Sequence, residues 1–168
     1  DEAFYRPPYH GLRHPLVFYY VHPATLFINK LHLAKLIENR INPYFEKLFE
    51  TGVDEMSWDD MSKNEIEWPT IEKCRAYRKE AYEVIKNVIE THPDLDCGSK
   101  INMSHPLWSL FMSMEHERIH LETSSVLIRE LPLHLVSRPE HWPELAPYNP
   151  SDPDGSKLIE NKMVKIAY

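Results

Sequence analysis

Apolar side chains recur at the three-to-four-residue spacing of an α-helix in three long stretches of this chain. The first stretch runs from Leu16 to about Asn39 and contains Pro23. Because the residue before a proline avoids the α region, Pro23 predicts either a kink or a first helical turn at that point. A shorter helix is predicted over residues 41–52, with Gly52 as its C-terminal stop.

The other two long stretches lie further along the chain and are separated from the first by an acidic segment, residues 53–70, predicted to be a loop with one helical turn. "PTIEKCRAYRKEAYEVIKNVIETHPDL" predicts an amphipathic helix with Thr70 as N-cap and a stop at Pro93. "HPLWSLFMSMEHERIHLETSSVLIREL" predicts a helix that begins directly after Ser104, its candidate N-cap, and ends before Pro132.

These elements predict an all-α fold. Residues 1–15 are rich in proline and are expected to be irregular. With three long helices, no repeats and no convincing interior strand, the natural architecture is an antiparallel helical bundle over residues 1–143. Residues 144–168 are expected to form a linker and then the opening of a strand at residues 163–166, which indicates a piece of a longer protein.

Composition narrows the function classes. The net charge of −7 over 168 residues argues against nucleic acid as the main partner, and no apolar run approaches the length of a membrane span. Two cysteines, Cys74 and Cys97, are too few for a disulfide framework, so a reducing cytoplasm is the expected location. Ten histidines and only four glycines favour helices with imidazole chemistry over a glycine-rich nucleotide site.

The segment His116-Glu117-Arg118-Ile119-His120 carries the strongest chemical signal. Two histidines four residues apart lie on one face of a helix, one turn apart, where both imidazoles reach a single ion. The alternative for these two histidines alone is that their spacing arose by chance. The opposite stripe of the helix is apolar and is expected to pack against the rest of the bundle. The members of the stripe are Leu107, Leu110, Met114, Leu121 and Ile128.

The same letters spell the H-E-x-x-H motif of zinc peptidases, in which Glu117 would be the general base. The extended form of that motif needs a glycine and a third histidine, where this chain has Thr123 and Val126. Glu140 is a candidate downstream carboxylate ligand, but prolines intervene, and no substrate-binding strand is apparent. A zinc metallopeptidase is therefore the weaker alternative.

A third ligand from an earlier helix is more attractive. His22 is flanked by apolar residues, and a buried imidazole needs a partner, either a metal or, as the alternative, a backbone carbonyl. Asn29 shares its helix face and is a candidate for lining the same cavity. Three neutral imidazoles suit Fe(II) and Zn(II) equally. Glu122, about 200° round the helix from His120, is expected to support a ligand or pair with another helix.

Three strings carry a family resemblance: "RHPLVFYYVHPATLFINKL", "INPYFEKLFETGVDEMSWDDM" and "MEHERIHLETSSVLIRELP". They resemble the amino-terminal portion of the 5-histidylcysteine sulfoxide synthases of ovothiol biosynthesis, relatives of the ergothioneine-biosynthesis sulfoxide synthases. The likeness spans residues 1–143. It implies a DinB-like bundle whose first helix is absent here. It also implies a downstream domain resembling formylglycine-generating enzymes, which would begin within residues 144–168, and in some members a methyltransferase domain.

The resemblance also implies site residues and a reaction. It matches an H-x-x-x-H-x-E motif to His116, His120 and Glu122, and an earlier iron-ligating histidine to His22. The implied cofactor is Fe(II), with O₂ as co-substrate and cysteine and histidine as substrates. No catalytic residue is expected beyond the metal centre. The implied protein partner is the downstream domain of the same chain, without which this portion is expected to be inactive.

Two further readings stay open. One is a stand-alone DinB-type metal-dependent thiol transferase that uses the same histidines with zinc. The other is a non-catalytic helical interaction module with structural histidines.

Four polar or aromatic residues are candidates for substrate contact, namely Trp58, Asp59, Asp60 and Arg118. The simpler alternative is that they occupy solvated surface positions.

Overall fold

A computed structural model describes residues 1–11, 13–50 and 66–142 of the chain. The all-α prediction is confirmed, since the described residues form α-helices and a short 3-10 turn and contain no β-strand. The α-helices are α1 (Glu2–Tyr5), α2 (Leu16–Leu33), α3 (Pro43–Leu48), α4 (Ile71–Thr91), α5 (Pro93–Asp96) and α6 (Trp108–Arg129), and the 3-10 turn is Leu133–Leu135.

Two compact units divide the chain, Asp1–Val136 and Ser137–Tyr168. The helices of the described residues belong to the first unit. The predictions for Gly52, for the acidic loop and for the linker and strand within residues 144–168 concern positions that lie wholly or mostly outside the described residues.

Helix α2 forms the centre of the first unit, with α4 and α6 as its main neighbours. Most of its 18 residues are buried, and Val17, Val21, Ile28 and Leu31 have no exposed surface. A helix that is apolar on nearly every face has to be covered on several sides, which explains why α2 occupies the interior. Any side chain that α2 places among its neighbours is therefore shielded from solvent.

The pairing of core residues shows that α6 runs antiparallel to α2. Leu127, near the end of α6, belongs to the cluster that contains Val17 and Phe18 at the start of α2. Leu107 and Leu110, at the start of α6, pack in the cluster that contains Leu31 at the end of α2. The middle of α6, which carries the H-E-x-x-H segment, therefore lies beside the middle of α2.

Helix α4 runs in the same direction as α2. Ile71 packs in the cluster of the first half of α2, and Val88 packs with Leu31 at its end. The Arg78 guanidinium donates to the carbonyl of Tyr20 between them. A connection from residue 34 to residue 70 separates the two helices and includes α3. A connection of this length allows two long helices on either side of it to run in the same direction in a bundle.

Helix α2 ends at Leu33, six residues before the predicted end near Asn39. Lys35 adopts φ 59, and its N–H donates to the His32 carbonyl at 3.0 Å. The N–H of Leu36 then donates to the Leu31 carbonyl at 2.9 Å. This is the hydrogen-bond pattern of a Schellman motif, which terminates a helix and normally places glycine where Lys35 stands. Pro23 lies inside the helix rather than in its first turn.

Two other helix starts bear on the sequence predictions. Thr70 is the N-cap of α4, as predicted, and its side chain accepts from the N–H of Lys73. The predicted start of α6 directly after Ser104 was wrong, because this helix begins at Trp108 with Leu107 as N-cap. The Asn102 side chain explains the difference, since it accepts hydrogen bonds from both the N–H and the hydroxyl of Ser104 and holds that residue in the preceding turn.

The amino-terminal segment also differs from its prediction. Glu2–Tyr5 forms a helical turn where irregular structure was expected. These four residues precede the first proline of the segment, so nothing in their own chemistry opposes a turn. The Tyr5 hydroxyl donates to the Pro69 carbonyl at 2.9 Å and links this turn to the start of α4.

The apolar stripe predicted to pack on α6 is only half buried. Leu107 and Leu110 are buried, but Met114, Leu121 and Ile128 are 36%, 73% and 47% exposed. The reason is that α6 packs mainly against α2, so only the side facing α2 is covered along its length. Across the described residues, no helix combines the length and apolar character needed to cross a membrane.

Candidate metal centre

Three imidazoles meet between α2 and α6. Helix α2 contributes His22, and α6 contributes His116 and His120 from successive turns. The Nε2 atom of His116 lies 3.3 Å from Nε2 of His22 and 3.0 Å from Nε2 of His120. One nitrogen from each ring lies within 4.8 Å of the other two. The structure therefore brings together the three histidines singled out from the sequence.

The spacing of these nitrogens suits a single bound cation. Imidazole nitrogens bind zinc at about 2.0–2.1 Å, so two nitrogens on one ion lie about 2.9 Å apart at a right angle and about 3.4 Å apart at the tetrahedral angle. The two measured separations, 3.3 Å and 3.0 Å, fall inside that interval. A cation of this size therefore fits between His116 and each of the other two rings.

The tautomer of His22 is fixed by the backbone. Its Nδ1 lies 2.6 Å from the carbonyl oxygen of Phe49. Because a carbonyl oxygen only accepts, Nδ1 carries the hydrogen, and in the neutral ring Nε2 keeps its lone pair facing the cluster. The ring also stacks on Phe18, with centroids 4.9 Å apart and an interplanar angle of 18°. Both contacts hold His22 in the form that binds a metal.

The ring nitrogens of the two histidines on α6 do not all find hydrogen-bond partners within the described residues. Nε2 of His116 faces two other Nε2 atoms, and a single proton on it serves only one of those contacts. Nδ1 of His116 is buried and has no hydrogen-bond partner in the described part of the chain. Lone pairs that converge without enough hydrogens repel one another, and a cation placed between them removes that repulsion.

Burial keeps these imidazoles uncharged. Desolvation lowers the pKa of His22, although its bond to the Phe49 carbonyl acts in the opposite direction. Desolvation, helped by the nearby His22, lowers the pKa of His116 to about 4 and that of His120 to about 4. At neutral pH all three rings are therefore in the deprotonated form that a metal requires.

A buried polar network holds α3 against α2 and so positions the Phe49 carbonyl. Glu46 has no exposed surface, and its Oε1 accepts from the N–H groups of Ile41 and Asn42, each at 2.9 Å. Its Oε2 lies 3.3 Å from the Arg40 guanidinium. Asn29 donates to the Glu46 carbonyl at 3.1 Å and accepts from Arg40. The amide of Asn29 thus engages this network instead of the histidine cluster.

Glu46 and the Phe49 carbonyl were not among the residues predicted from the sequence. A signal for Glu46 was present, because Asn42 and Pro43 mark a helix start and an acidic residue in the first turn is typical there. Nothing in the sequence identifies the Phe49 carbonyl as the acceptor for His22, because that contact depends on how α3 folds back onto α2.

The remaining candidates are not members of the histidine group or lie outside the described residues. Glu117 is half-buried, and Glu122 is exposed. The Arg118 guanidinium donates to Glu115 at 3.0 Å on the surface of α6. Within the described ranges, no carboxylate belongs to the histidine group. Glu140 is exposed and belongs to the second compact unit. Outside the described residues lie Trp58, Asp59 and Asp60.

Neither thiol belongs to the histidine group. Cys74 is buried against α2, and burial raises the pKa of its thiol to about 11. Cys97 is exposed, with its sulfur 2.9 Å from the Ser99 hydroxyl. A thiol with a raised pKa is a poor nucleophile at neutral pH, so Cys74 is a structural residue.

Comparison with known proteins gave no match, either among protein-family models or among curated sequences.

Proposed function

We propose that this chain supplies the three-histidine iron centre of an O₂-dependent sulfoxide synthase that joins the sulfur of cysteine to the imidazole ring of histidine. The observation that supports the proposal is the convergence of the His22, His116 and His120 Nε2 atoms from two helices. The resemblance of the surrounding strings to the ovothiol-type synthases supplies the reaction. The proposed cofactor is Fe(II), held by these three nitrogens.

The chemistry of the ligand set fits a thiol substrate. Three neutral imidazoles leave a divalent ion its full charge, which favours an anionic sulfur ligand and lowers the pKa of a bound thiol. Three protein ligands on an ion that accepts six leave positions for both substrates and oxygen. The burial of His22 and the hydrogen bond from its Nδ1 to the Phe49 carbonyl fix the position of one of the three proposed ligands.

The proposed overall reaction balances without an added reductant. Cysteine loses its S–H hydrogen, histidine loses one ring C–H hydrogen, and a C–S bond forms between them. One oxygen atom of O₂ becomes the sulfoxide oxygen, and the other leaves as water with the two hydrogens. Forming the C–S bond and oxidising the sulfur each remove two electrons, which together reduce one O₂. The protein therefore needs no nucleophile of its own.

The metallopeptidase reading has less support from the same geometry. In a peptidase of this type Glu117 would activate a water, and the third ligand would lie downstream of His120. The third imidazole of the cluster instead precedes the motif by more than 90 residues, since His22 lies on α2. No β-strand that could hold a peptide lies within the described part of the chain.

Cobalt substitution tests the proposed thiol chemistry. Co(II) replaces Fe(II) at nitrogen sites, is stable in air and gives visible absorption that reports its ligands. We expect cysteine to produce a sulfur-to-cobalt charge-transfer band that serine does not produce. The matched variant Glu117→Gln should leave this band unchanged, because Glu117 has no role in the proposed chemistry. Equal spectra with cysteine and serine would contradict the proposal.

Product analysis separates the synthase from a thiol transferase with the same ligands. The iron-loaded protein, in a chain that extends through the expected downstream domain, is mixed with cysteine and histidine under air. A synthase yields a product with the mass of both amino acids, less two hydrogens and plus one oxygen. A transferase consumes no oxygen and gives no such product.

A further inference from the structure

Tyr19 has an unexplained hydroxyl beside the histidine cluster. The residue is only 4% exposed, and its hydroxyl oxygen is buried without a hydrogen-bond partner among the described residues. One other buried side-chain atom in that part of the chain lacks a partner, and it is Nδ1 of His116. Both unsatisfied atoms therefore belong to residues of the same site.

The position of Tyr19 on α2 places its side chain beside the histidine cluster. It precedes His22 by three residues, so the two side chains emerge from the same side of the helix, one turn apart. The centroid of its ring lies 5.9 Å from that of His120. The next residue, Tyr20, is half-buried on the other side of α2, where the Arg78 guanidinium covers its ring at 4.7 Å. The chain thus offers a neighbouring tyrosine as a matched control.

Packing does not account for the hydroxyl. A phenylalanine at position 19 would fill the same space between Phe18 and His120 without burying a polar group. A buried hydroxyl without a partner costs free energy, and such groups in folded proteins commonly mark a functional site or an absent water or ion. The histidine cluster, with the His120 ring centroid 5.9 Å from that of Tyr19, is the neighbouring place where such a group would bind.

We propose that the Tyr19 hydroxyl donates a hydrogen bond to an anionic ligand bound to the cation at His22, His116 and His120. This inference rests on the proposed metal-binding function and adds a positioning residue for the substrate. An anion on the metal carries lone pairs that accept from a phenol, and the partner class includes a substrate thiolate. Tyr19 thereby contributes to anion affinity while the three imidazoles alone hold the metal.

Azide binding to the cobalt-loaded chain tests this assignment. Azide is a small monoanion that coordinates Co(II) and changes its visible spectrum. We expect Tyr19→Phe to weaken azide binding about tenfold, the effect of losing one hydrogen bond to a charged group. The Co(II) affinity should stay as in the unsubstituted chain, and the thermal midpoint of the metal-free chain should stay the same or rise, because the variant no longer buries an unpartnered hydroxyl. Tyr20→Phe should change none of the three quantities.

Three other outcomes would overturn the assignment. Unchanged azide affinity in Tyr19→Phe would show that the hydroxyl does not contact the bound anion. A loss of Co(II) affinity in that variant would make Tyr19 a metal ligand instead. Failure of the unsubstituted chain to bind Co(II), seen before azide is added, would remove the proposed metal function and the Tyr19 role with it.

Discussion

The imidazole of His22 lies with its Nδ1 atom 2.6 Å from the carbonyl oxygen of Phe49, the residue directly after α3. This bond joins the central helix to the short helix that follows it, and it directs the opposite nitrogen toward α6. The hydroxyl of Thr25 donates to the same carbonyl at 3.3 Å and to the His22 carbonyl at 2.9 Å. Helix α3 therefore acts as the support for one imidazole of the histidine cluster.

Removing the carboxylate of Glu46 should loosen this support. The N–H groups of Ile41 and Asn42 would lose their acceptor, and Arg40 would lose its ion-pair partner. We expect Glu46→Ala to lower the free energy of unfolding by about 2–4 kcal/mol, measured by urea denaturation. It should also weaken metal binding about tenfold or more, because His22 would lose its fixed acceptor.

The matched control for that variant is Glu90→Ala. Glu90 forms a surface ion pair with Lys86 on α4, and its side chain is 62% exposed. Exposed pairs of this kind contribute less than about 0.5 kcal/mol. If Glu46→Ala and Glu90→Ala had the same small effect on unfolding, the buried network would not be what holds α3.

Acidification should destabilise the metal-free protein between about pH 6.5 and pH 4. In the unfolded chain a histidine takes up a proton near pH 6.5, whereas the pKa of folded His116 and His120 is about 4. Over that interval the unfolded state binds more protons, so the free energy of unfolding falls as pH falls. Thermal midpoints across this interval measure the effect.

Two substitutions separate the buried histidines from the exposed ones in this pH dependence. His120→Gln removes one of the titrating groups and should flatten the fall in thermal midpoint. His134→Gln replaces an exposed histidine in the 3-10 turn and should leave the slope unchanged. An equal slope in both variants would show that the cluster does not govern the acid sensitivity.

Two leucines on α6 should differ sharply in their contribution to stability. Leu110 is 1% exposed and packs in the cluster with Phe27 and Leu31, whereas Leu121 is 73% exposed. We expect Leu110→Ala to lower the free energy of unfolding by about 2–5 kcal/mol and Leu121→Ala by less than about 0.5 kcal/mol. A large loss in Leu121→Ala would mean that this face of α6 is covered in solution.

Glycine at position 35 should stabilise the chain. Lys35 terminates α2 at φ 59, a conformation that a residue with a Cβ atom adopts at a cost. We expect Lys35→Gly to raise the free energy of unfolding by about 0.5–1 kcal/mol. Lys86→Gly, in the interior of α4, should lower it by a similar amount because glycine disfavours a helix interior. Chemical denaturation of both variants measures the two changes in the free energy of unfolding, which should be opposite in sign.

Much of the helical fold follows from local chemistry. The apolar spacing and the Thr70 cap were enough to place α4, whose start agrees with the prediction. The end of α2 was not predictable in the same way, because Lys35 takes a position usually held by glycine and gives no compositional signal. The start of α6 was also missed, since the Asn102 side chain takes Ser104 out of the helix.

The candidate site likewise combines residues that the local sequence predicts with contacts that depend on how the helices pack. The spacing of His116 and His120 indicates a shared helix face, and the apolar neighbours of His22 indicate burial, so all three were accessible from sequence. Contacts between elements were not accessible. The Phe49 carbonyl meets His22 across 27 positions of sequence, and the unsatisfied hydroxyl of Tyr19 becomes evident only once α6 covers it.

Metal stoichiometry in single-histidine variants tests the central claim most directly. The chain is dialysed against Zn(II) or, without air, Fe(II), and bound metal is counted per chain. We predict about one ion for the unsubstituted chain and for the control His134→Ala, and at least a hundredfold weaker binding for His22→Ala, His116→Ala and His120→Ala. Full metal binding in His22→Ala would contradict the account, because the central helix would then contribute no ligand.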